Sequence, residues 1–449
     1  MPLAIALIVL VVGSLLFHFL SPWTFTPIAS NWGMIDATID ITFWVTGVVF
    51  VAVNIFMACA IIRFRHRDGA RAKYEPENKK LEMWLTIITT IGVAAMLAPG
   101  LVVWAKFVNV PEGATDIEAV GQQWSWSFRL PGKDGKFGIT DAKLFSVENP
   151  YGIVPDDPNG QDDVLVVEPI VHIPLGEPVR FWLRSKDVLH NFTVAQFRVK
   201  MDLVPGLETY LWLEPTKVGE YEVLCEELCG VAHHTMRARV VVDEPEDYQA
   251  WVDSQPTFAE IQATAPGDPT LGAASYAVCA ACHGAQGEGL LALNAPKLSG
   301  QDPQYLRLQL RNFKLGRRGI HEDDVYGKQM APMAAILVND AAVDNVLAYI
   351  GTLPDIPAPH TVEGDVAHGA KLYVLCANCH GKDGQGIKMN APRQAGISDW
   401  YLLNQLKNFK QGIRGHHPED LGGKQMGFMA RTLQDDQAMR DVVAYINSL

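Results

Sequence analysis

Residues 225–236 read CEELCGVAHHTM, which puts two cysteines, two adjacent histidines, two glutamates and a methionine in one short stretch. Thiolates, imidazoles and a thioether together suit a transition metal, because soft sulfur ligands discriminate against hard cations. One reading is a zinc set made of Cys225, Cys229, His233 and the more distant His190 of DVLHNF, since Cys2His2 is a common structural site. That set leaves Met236 without a task. Copper gives it one, because a weak methionine ligand beside thiolate and imidazole is a feature of copper electron-transfer sites. Two thiolates can also bridge two metals, with His190 and His233 as one terminal imidazole each and Met236 and a backbone carbonyl completing the pair.

Two further pairs, Cys279/Cys282 and Cys376/Cys379, are each followed at once by a histidine. Cys-x-x-Cys-His is the attachment sequence of a c-type haem: two thiols add to the vinyl groups, and the next imidazole is thereby placed on the iron. His283 and His380 are then the proximal ligands. A single copy could be a redox or zinc pair, but the surroundings repeat as well. CAACHGAQGEG recurs as CANCHGKDGQG, YLRLQLRNFKLG as YLLNQLKNFKQG, and GKQMAPMAAIL as GKQMGFMARTL. The offset is 97 residues at the first motif and 96 after it, so one loop is a residue shorter and two homologous domains result. Each offers two methionines for the other face of the iron, Met330 or Met333 and Met426 or Met429, and a thioether there raises the potential. His321 and His416 are rival axial candidates, better read as loop residues. Cys59, alone in an apolar run, reads as a small hydrophobe.

Four kinds of element must position these groups in a chain of 449 residues, too long for one ordinary domain. Residues 41–62 and 83–105 are apolar and long enough to span a bilayer as helices. The stretch between them, 63–80, holds seven Lys or Arg, which predicts a cytoplasmic loop and places everything after about residue 106 outside. The first run, 2–20, suits a third span or a secretory segment; it lacks the basic start of a signal peptide, and a retained helix is the expectation. From 107 to 248 short β-rich runs separated by Gly, Pro and Asp predict a β-sandwich, with the CEELC motif between its last two strands and His190 at the end of an earlier one. After the acidic run DEPEDYQAWVDSQPTF, a linker over 249–264 leads to a helical domain over 265–355, a second linker over 356–364 and a second helical domain over 365–449. The part after residue 106 carries 29 Lys or Arg against 44 Asp or Glu, the wrong sign for a nucleic-acid partner.

The hairpin, GQQWSWSF, DVLHNF, KMDLVPG and CEELCGVAHHTM together resemble cytochrome c oxidase subunit II over roughly residues 35–245. The repeats resemble class I cytochromes c, especially tandem dihaem ones. The resemblance implies a multidomain fold: a transmembrane helical hairpin with an extra N-terminal helix, a cupredoxin-like β-sandwich and two all-α cytochrome c domains. It implies a binuclear copper centre, CuA, with Cys225 and Cys229 bridging, His190 and His233 capping, Met236 on one copper and the Glu227 main-chain carbonyl on the other. His234 matches no ligand position. The Glu227 side chain would help hold a magnesium ion shared with the catalytic subunit.

Further implications concern the route of electrons and protons. Met330 and Met426 match the axial position, and Pro296 and Pro392 match a proline whose carbonyl orients the proximal imidazole. Trp124 matches the aromatic residue that receives electrons from a docked cytochrome, although a strand tryptophan is more often core. Glu82 matches a carboxylate at the mouth of a proton path, although an acid at a helix start is also favoured by the helix dipole. Here Leu85 departs from the family's aromatic, with Trp84 displaced by one, so the local register is less secure. The implied protein is the subunit of a haem-copper terminal oxidase that takes in electrons, through two covalent haems c and the copper pair, from cytochrome c or another soluble donor. It would sit in a bacterial inner membrane with its redox domains in the periplasm, against lipid, catalytic subunit I and subunit III. Rival readings are a subunit of a nitrogen-oxide reductase and a free-standing membrane electron carrier. A quinol oxidase subunit is disfavoured, because those relatives lack the copper ligands.

Overall fold

The three apolar runs form α1 (Pro2–Leu20), α2 (Gly33–Arg63) and α3 (Lys79–Val108) in a computed structural model that describes residues 2–21, 25–69, 71, 76–145, 149–166, 168–263, 267–386 and 391–449. All three are long and apolar enough to cross a membrane, and each leaves most of its side chains exposed, as helices that are apolar all round do when lipid is their solvent. α2 and α3 run beyond the predicted spans at both ends. At the start of α3 the added turn is capped, with Asn78 Oδ1 accepting from the Leu81 amide at 3.0 Å. Of the basic loop, residues 70 and 72–75 lie outside the described residues.

The outer ends of α2 and α3 are plugged into the next domain. Trp32, just before α2, is buried and donates through Nε1 to the Trp212 carbonyl at 2.9 Å. Trp212 Nε1 donates in turn to the Phe107 carbonyl, also at 2.9 Å, and Arg198 pairs with Asp36 at 2.7 Å. A tryptophan with its ring in apolar packing and its N–H satisfied makes such a joint specific in orientation as well as apolar.

The β-rich part forms ten strands: β1 (Thr115–Gln122), β2 (Ser125–Leu130), β3 (Val164–Val166), β4 (Ile170–Pro174), β5 (Val179–Ser185), β6 (His190–Val194), β7 (Val199–Leu203), β8 (Thr209–Leu213), β9 (Gly219–Leu224) and β10 (Arg237–Asp243). They make two sheets, ordered β3-β2-β1-β5-β8 and β4-β10-β9-β6-β7. Between the sheets lie Phe128, Phe181, Phe192, Val223 and Val240, all buried, as the alternation along the strands requires. The run IEAVGQQWSWSF, read as one stretch, divides at a turn into β1 and β2, paired Gln122 to Ser125. His190 opens β6; it does not close a strand.

The segment 249–264, expected as a connector, is instead held on the sandwich. α4 (Pro245–Asp253) and α5 (Phe258–Ala263) follow β10 directly. Trp251 stacks on His172 with centroids 4.5 Å apart, and Phe258 is fully buried with Val120, Tyr151, Ile153 and Leu165. These two aromatic side chains anchor the segment together with backbone bonds, the Leu165 amide donating to the Pro256 carbonyl and the Phe258 amide to that of Asp163, both at 2.9 Å. The predicted boundary at 264–265 lies outside the described residues.

The repeats fold as two four-helix domains. The first has α6 (Pro269–His283), α7 (Pro303–Lys314), α8 (Val325–Ala335) and α9 (Asp340–Thr352); the second has α10 (Val366–His380), α11 (Asp399–Gln411), α12 (Leu421–Arg431) and α13 (Asp436–Asn447). First and last helices cross at a glycine in each: a Cβ on Gly272 would overlap the Asn345 carbonyl, and one on Gly369 the Asp441 carbonyl. The linker 356–364 is extended and pinned, with the Thr361 amide donating to Asp399 at 2.5 Å.

Candidate metal centre and haem sites

The loop between β9 and β10 brings the sulfur ligands together by chain proximity, and β6, beside β9 in the same sheet, adds His190. Cys225 Sγ and Cys229 Sγ lie 3.7 Å apart, with Met236 Sδ 3.9 Å from Cys229 and His233 Nδ1 3.5 Å from the same sulfur. The Glu227 carbonyl oxygen is 3.3 Å from Cys225 Sγ. A ring nitrogen of His190 and both cysteine sulfurs fall within 4.8 Å of one another, all three residues buried. All six expected ligand positions therefore line one small cage. His234, next to His233, is exposed.

The cage is oriented from outside it. His190 Nε2 is 2.7 Å from Asp187 Oδ1, while its Nδ1 is buried with no hydrogen-bond partner. A carboxylate on one ring nitrogen fixes the tautomer and frees the other nitrogen for a ligand. Gln123 Nε2 and Trp124 Nε1, at the β1–β2 turn of the opposite sheet, both donate to the Cys229 carbonyl, at 2.7 and 3.1 Å. Gly230 makes that approach possible: its φ is +121°, and a Cβ would sit 2.9 Å from Gln123 Nε2. Trp124 is thus buried, 4% exposed, and bonded to the ligand loop.

Electrostatics point the same way. The two thiols share their protons unequally: the contact with Cys229 pulls Cys225 down to about 3, and Cys225 and burial push Cys229 far up. A thiolate beside a thiol is half of a metal site, and taking the second proton away needs added positive charge, which a metal supplies. The haem-motif cysteines differ. Burial pushes Cys376 and Cys379 up to about 11, so they stay thiols.

In both helical domains the motif histidine is buried and its Nδ1 meets a proline carbonyl, His283 with Pro296 at 2.7 Å and His380 with Pro392 at 2.7 Å. Burial lowers both imidazoles, against the opposing pull of those carbonyls. Each is therefore a neutral ring whose Nδ1–H donates and whose Nε2 is left for iron. Of the paired methionines, Met426 packs on its own domain's core, whereas Met429 packs on the sandwich core. Met330 and Met333 are both half-buried. His321 and His416 face each other edge to face, centroids 5.0 Å apart, across the contact between the domains. Glu82 is exposed in the first turn of α3, and Glu227 is half-buried.

Several positioning residues are missing from the sequence reading: Asp187, Gln123, Arg318, Arg414 and Phe428. The two arginines are signalled by the repeat, which carries RRG at 317–319 and IRG at 413–415. Arg318 reaches Gln309 at 2.7 Å in its own domain and Tyr401 at 2.8 Å in the other. Arg414 reaches Gln405 at 2.7 Å and Tyr305 at 2.9 Å in the mirror arrangement. The domains thus meet through a self-complementary face.

Two families match separate parts of the chain. Residues 115–244 match the family described as cytochrome c oxidase subunit II, periplasmic domain, and residues 269–354 and 366–449 each match cytochrome c. An alternative cytochrome c oxidase subunit 2 from Bradyrhizobium diazoefficiens is 58% identical over 259 residues, covering 58% of this chain and 94% of that protein. The chain belongs to the cytochrome c oxidase subunit 2 family. The added cytochrome c domains lie C-terminal to the subunit 2 part. Among solved structures, the periplasmic domain of subunit II from Bradyrhizobium japonicum is 28% identical over 32% of this chain and 96% of its own, with a TM-score of 0.24. Reduced cytochrome c4 from Pseudomonas stutzeri is 25% identical over 41% and 99%, with a TM-score of 0.33.

Proposed function

We propose that this chain takes in electrons for a haem-copper terminal oxidase, passing them from a soluble donor such as cytochrome c through two haems c and a binuclear copper centre to the catalytic subunit. There oxygen is reduced to water and protons are pumped. When bound, the haems and copper supply one-electron chemistry; the chain's own task is to hold and align them. Cys225 and Cys229 would bridge the coppers, His190 and His233 would cap them, and Met236 and the Glu227 carbonyl would complete the set.

The observation that carries this reading is the convergence of two thiolates, two imidazoles, a thioether and a carbonyl on one buried cage. A single zinc would leave Met236 and the Glu227 carbonyl unused. The unpartnered Nδ1 of His190 fits a metal in the cage.

Each helical domain would hold one haem, through Cys279, Cys282, His283 and Met330 in the first and Cys376, Cys379, His380 and Met426 in the second. The buried, unpartnered Nε atoms of Arg318 and Arg414 suit the carboxylates that a haem carries. Trp124, hydrogen-bonded to the Cys229 carbonyl, would couple the cage to an arriving electron. Glu82 would face a proton path in subunit I, and the Glu227 side chain a shared magnesium. Three spans set in lipid, beside subunits I and III, would place the redox domains in the periplasm of a bacterial inner membrane.

The test is Cys229→Ser in the assembled oxidase. Oxygen consumption should fall by at least about a hundredfold, while both haems c remain in the reduced-minus-oxidised optical spectrum. Unchanged oxygen consumption would remove the copper centre from the route.

A further inference from the structure

The two cytochrome c domains do not meet the copper cage alike. Phe428 of α12 sets its ring edge-on to His234, centroids 5.5 Å apart and planes at 80°. Met429, next to it, and Cys379, one of the haem-attaching thiols, pack on the same buried cluster that contains Trp124, Cys225, Cys229 and Met236. Arg239 of β10 ties the domain down by donating to the Pro418 carbonyl at 2.9 Å. The 3-10 turn 233–235, which carries the ligand His233, is itself in contact with α12.

Among the described residues the first domain shows no matching contact with the cage loop. Its counterpart of Phe428 is Pro332, and its counterpart of Cys379, Cys282, is exposed. It touches the sandwich through ion pairs of Arg311 and Arg317 with Glu168, at 2.9 and 3.1 Å, just before the edge strand β4. It faces the second domain through the reciprocal Arg318–Tyr401 and Arg414–Tyr305 contacts.

We infer that the second domain is the immediate donor to the copper cage, that Phe428 and His234 hold the contact, and that the first domain stands upstream, taking electrons from the external one-electron donor. The inference rests on the proposed function above. In the step assigned to this contact, one electron leaves the ferrous haem iron of the second domain, which becomes ferric, and the copper pair is reduced by that electron. No bond or proton changes place. Phe428 and His234 are positioning residues here, and neither is a ligand. The order follows from packing: Cys379 of the second domain lies against the sandwich core that also holds the cage, and α12 touches the turn carrying His233, whereas Cys282 of the first domain lies open to solvent.

The experiment uses the whole oxidase. A photoexcited ruthenium polypyridyl complex reduces haem c in a flash, and reoxidation of haem c is followed together with the near-infrared absorption of copper. In Phe428→Ala, copper reduction should slow by roughly tenfold, since transfer between held groups depends on how closely they are held. The initial haem reduction and the static haem and copper spectra should be unchanged. Pro332→Ala, at the matching place in the first domain, should behave as wild type. If Phe428→Ala does not assemble, Arg239→Ala should slow the same phase. Copper reduction at the wild-type rate in Phe428→Ala, or an equal slowing in Pro332→Ala, would overturn the assigned order. A wild-type complex with haem reoxidation and no copper band would instead overturn the reading on which it rests.

Discussion

In the first cytochrome c domain Tyr276 donates to the Gly284 carbonyl at 2.9 Å, and in the second Tyr373 donates to that of Gly381 at 3.1 Å. Arg318 lies over Phe313 in one and Arg414 over Phe409 in the other, each at 4.5 Å. The two interiors are thus the same answer to the same sequence pattern. What separates the copies most is on the outside, a proline where the other has the exposed Phe428, with one difference at the helix crossing, Asn345 where the other has the buried Asp441. Duplication preserved the parts that hold a haem and freed the parts that decide what each haem stands next to. Packing around a cofactor tolerates little change, whereas a docking face is rewritten by a few side chains.

The mirror-image arginines test how alike the copies are. Each bonds three side chains, but Arg414 is 7% exposed and Arg318 half-buried, so the bonds lost with the former are the better shielded from water. Arg414→Ala should cost about 2 kcal/mol of stability and Arg318→Ala about 1 kcal/mol, within the range for lost buried hydrogen bonds. Denaturation followed by Soret circular dichroism measures both. Equal costs would mean that the face is more symmetric in energy than its burial indicates.

A smaller difference should appear in acid. In the second domain Asp441 lies 2.7 Å from His368, and the hydrogen bond from that imidazole lowers Asp441 below the usual carboxylate range, against a smaller opposing effect of burial. The folded chain therefore binds this proton less tightly than the unfolded one. The stability so gained is complete above roughly pH 4, the ordinary aspartate value, and is lost as pH falls through the lowered value. Hydrogen exchange should show α13 loosening more than α9 between about pH 5 and pH 3. Asp441→Asn, which installs the amide type that the first domain has at Asn345, should remove that difference.

Much of this was legible in the chain, for reasons that are local. Candidate ligands such as Cys225, Cys229, His233 and Met236 lie within one loop, so spacing alone brings them close. The attachment motifs are contiguous, and the repeat verifies each copy with the other. His190 could be offered only as a distant candidate, because its place beside the loop depends on β6 lying next to β9. Gln123 and Phe428 act through contacts between residues far apart in sequence, which no periodicity reports, and Asp187, three residues from His190, meets that ring only once the loop before β6 is folded. Segment 249–264 misled because its mixed composition does not mark Trp251 and Phe258 as anchors; their partners on the sandwich, His172 and Tyr151 among them, are far away in sequence.

The most direct measurement is the metal and haem content of the purified complex, compared between wild type and Cys229→Ser. The account predicts two haems c per chain in both, and a loss of two coppers per chain in the variant, accompanied by loss of the near-infrared band. A variant that loses a single zinc, or a wild type without thiolate-to-copper absorption, would contradict it.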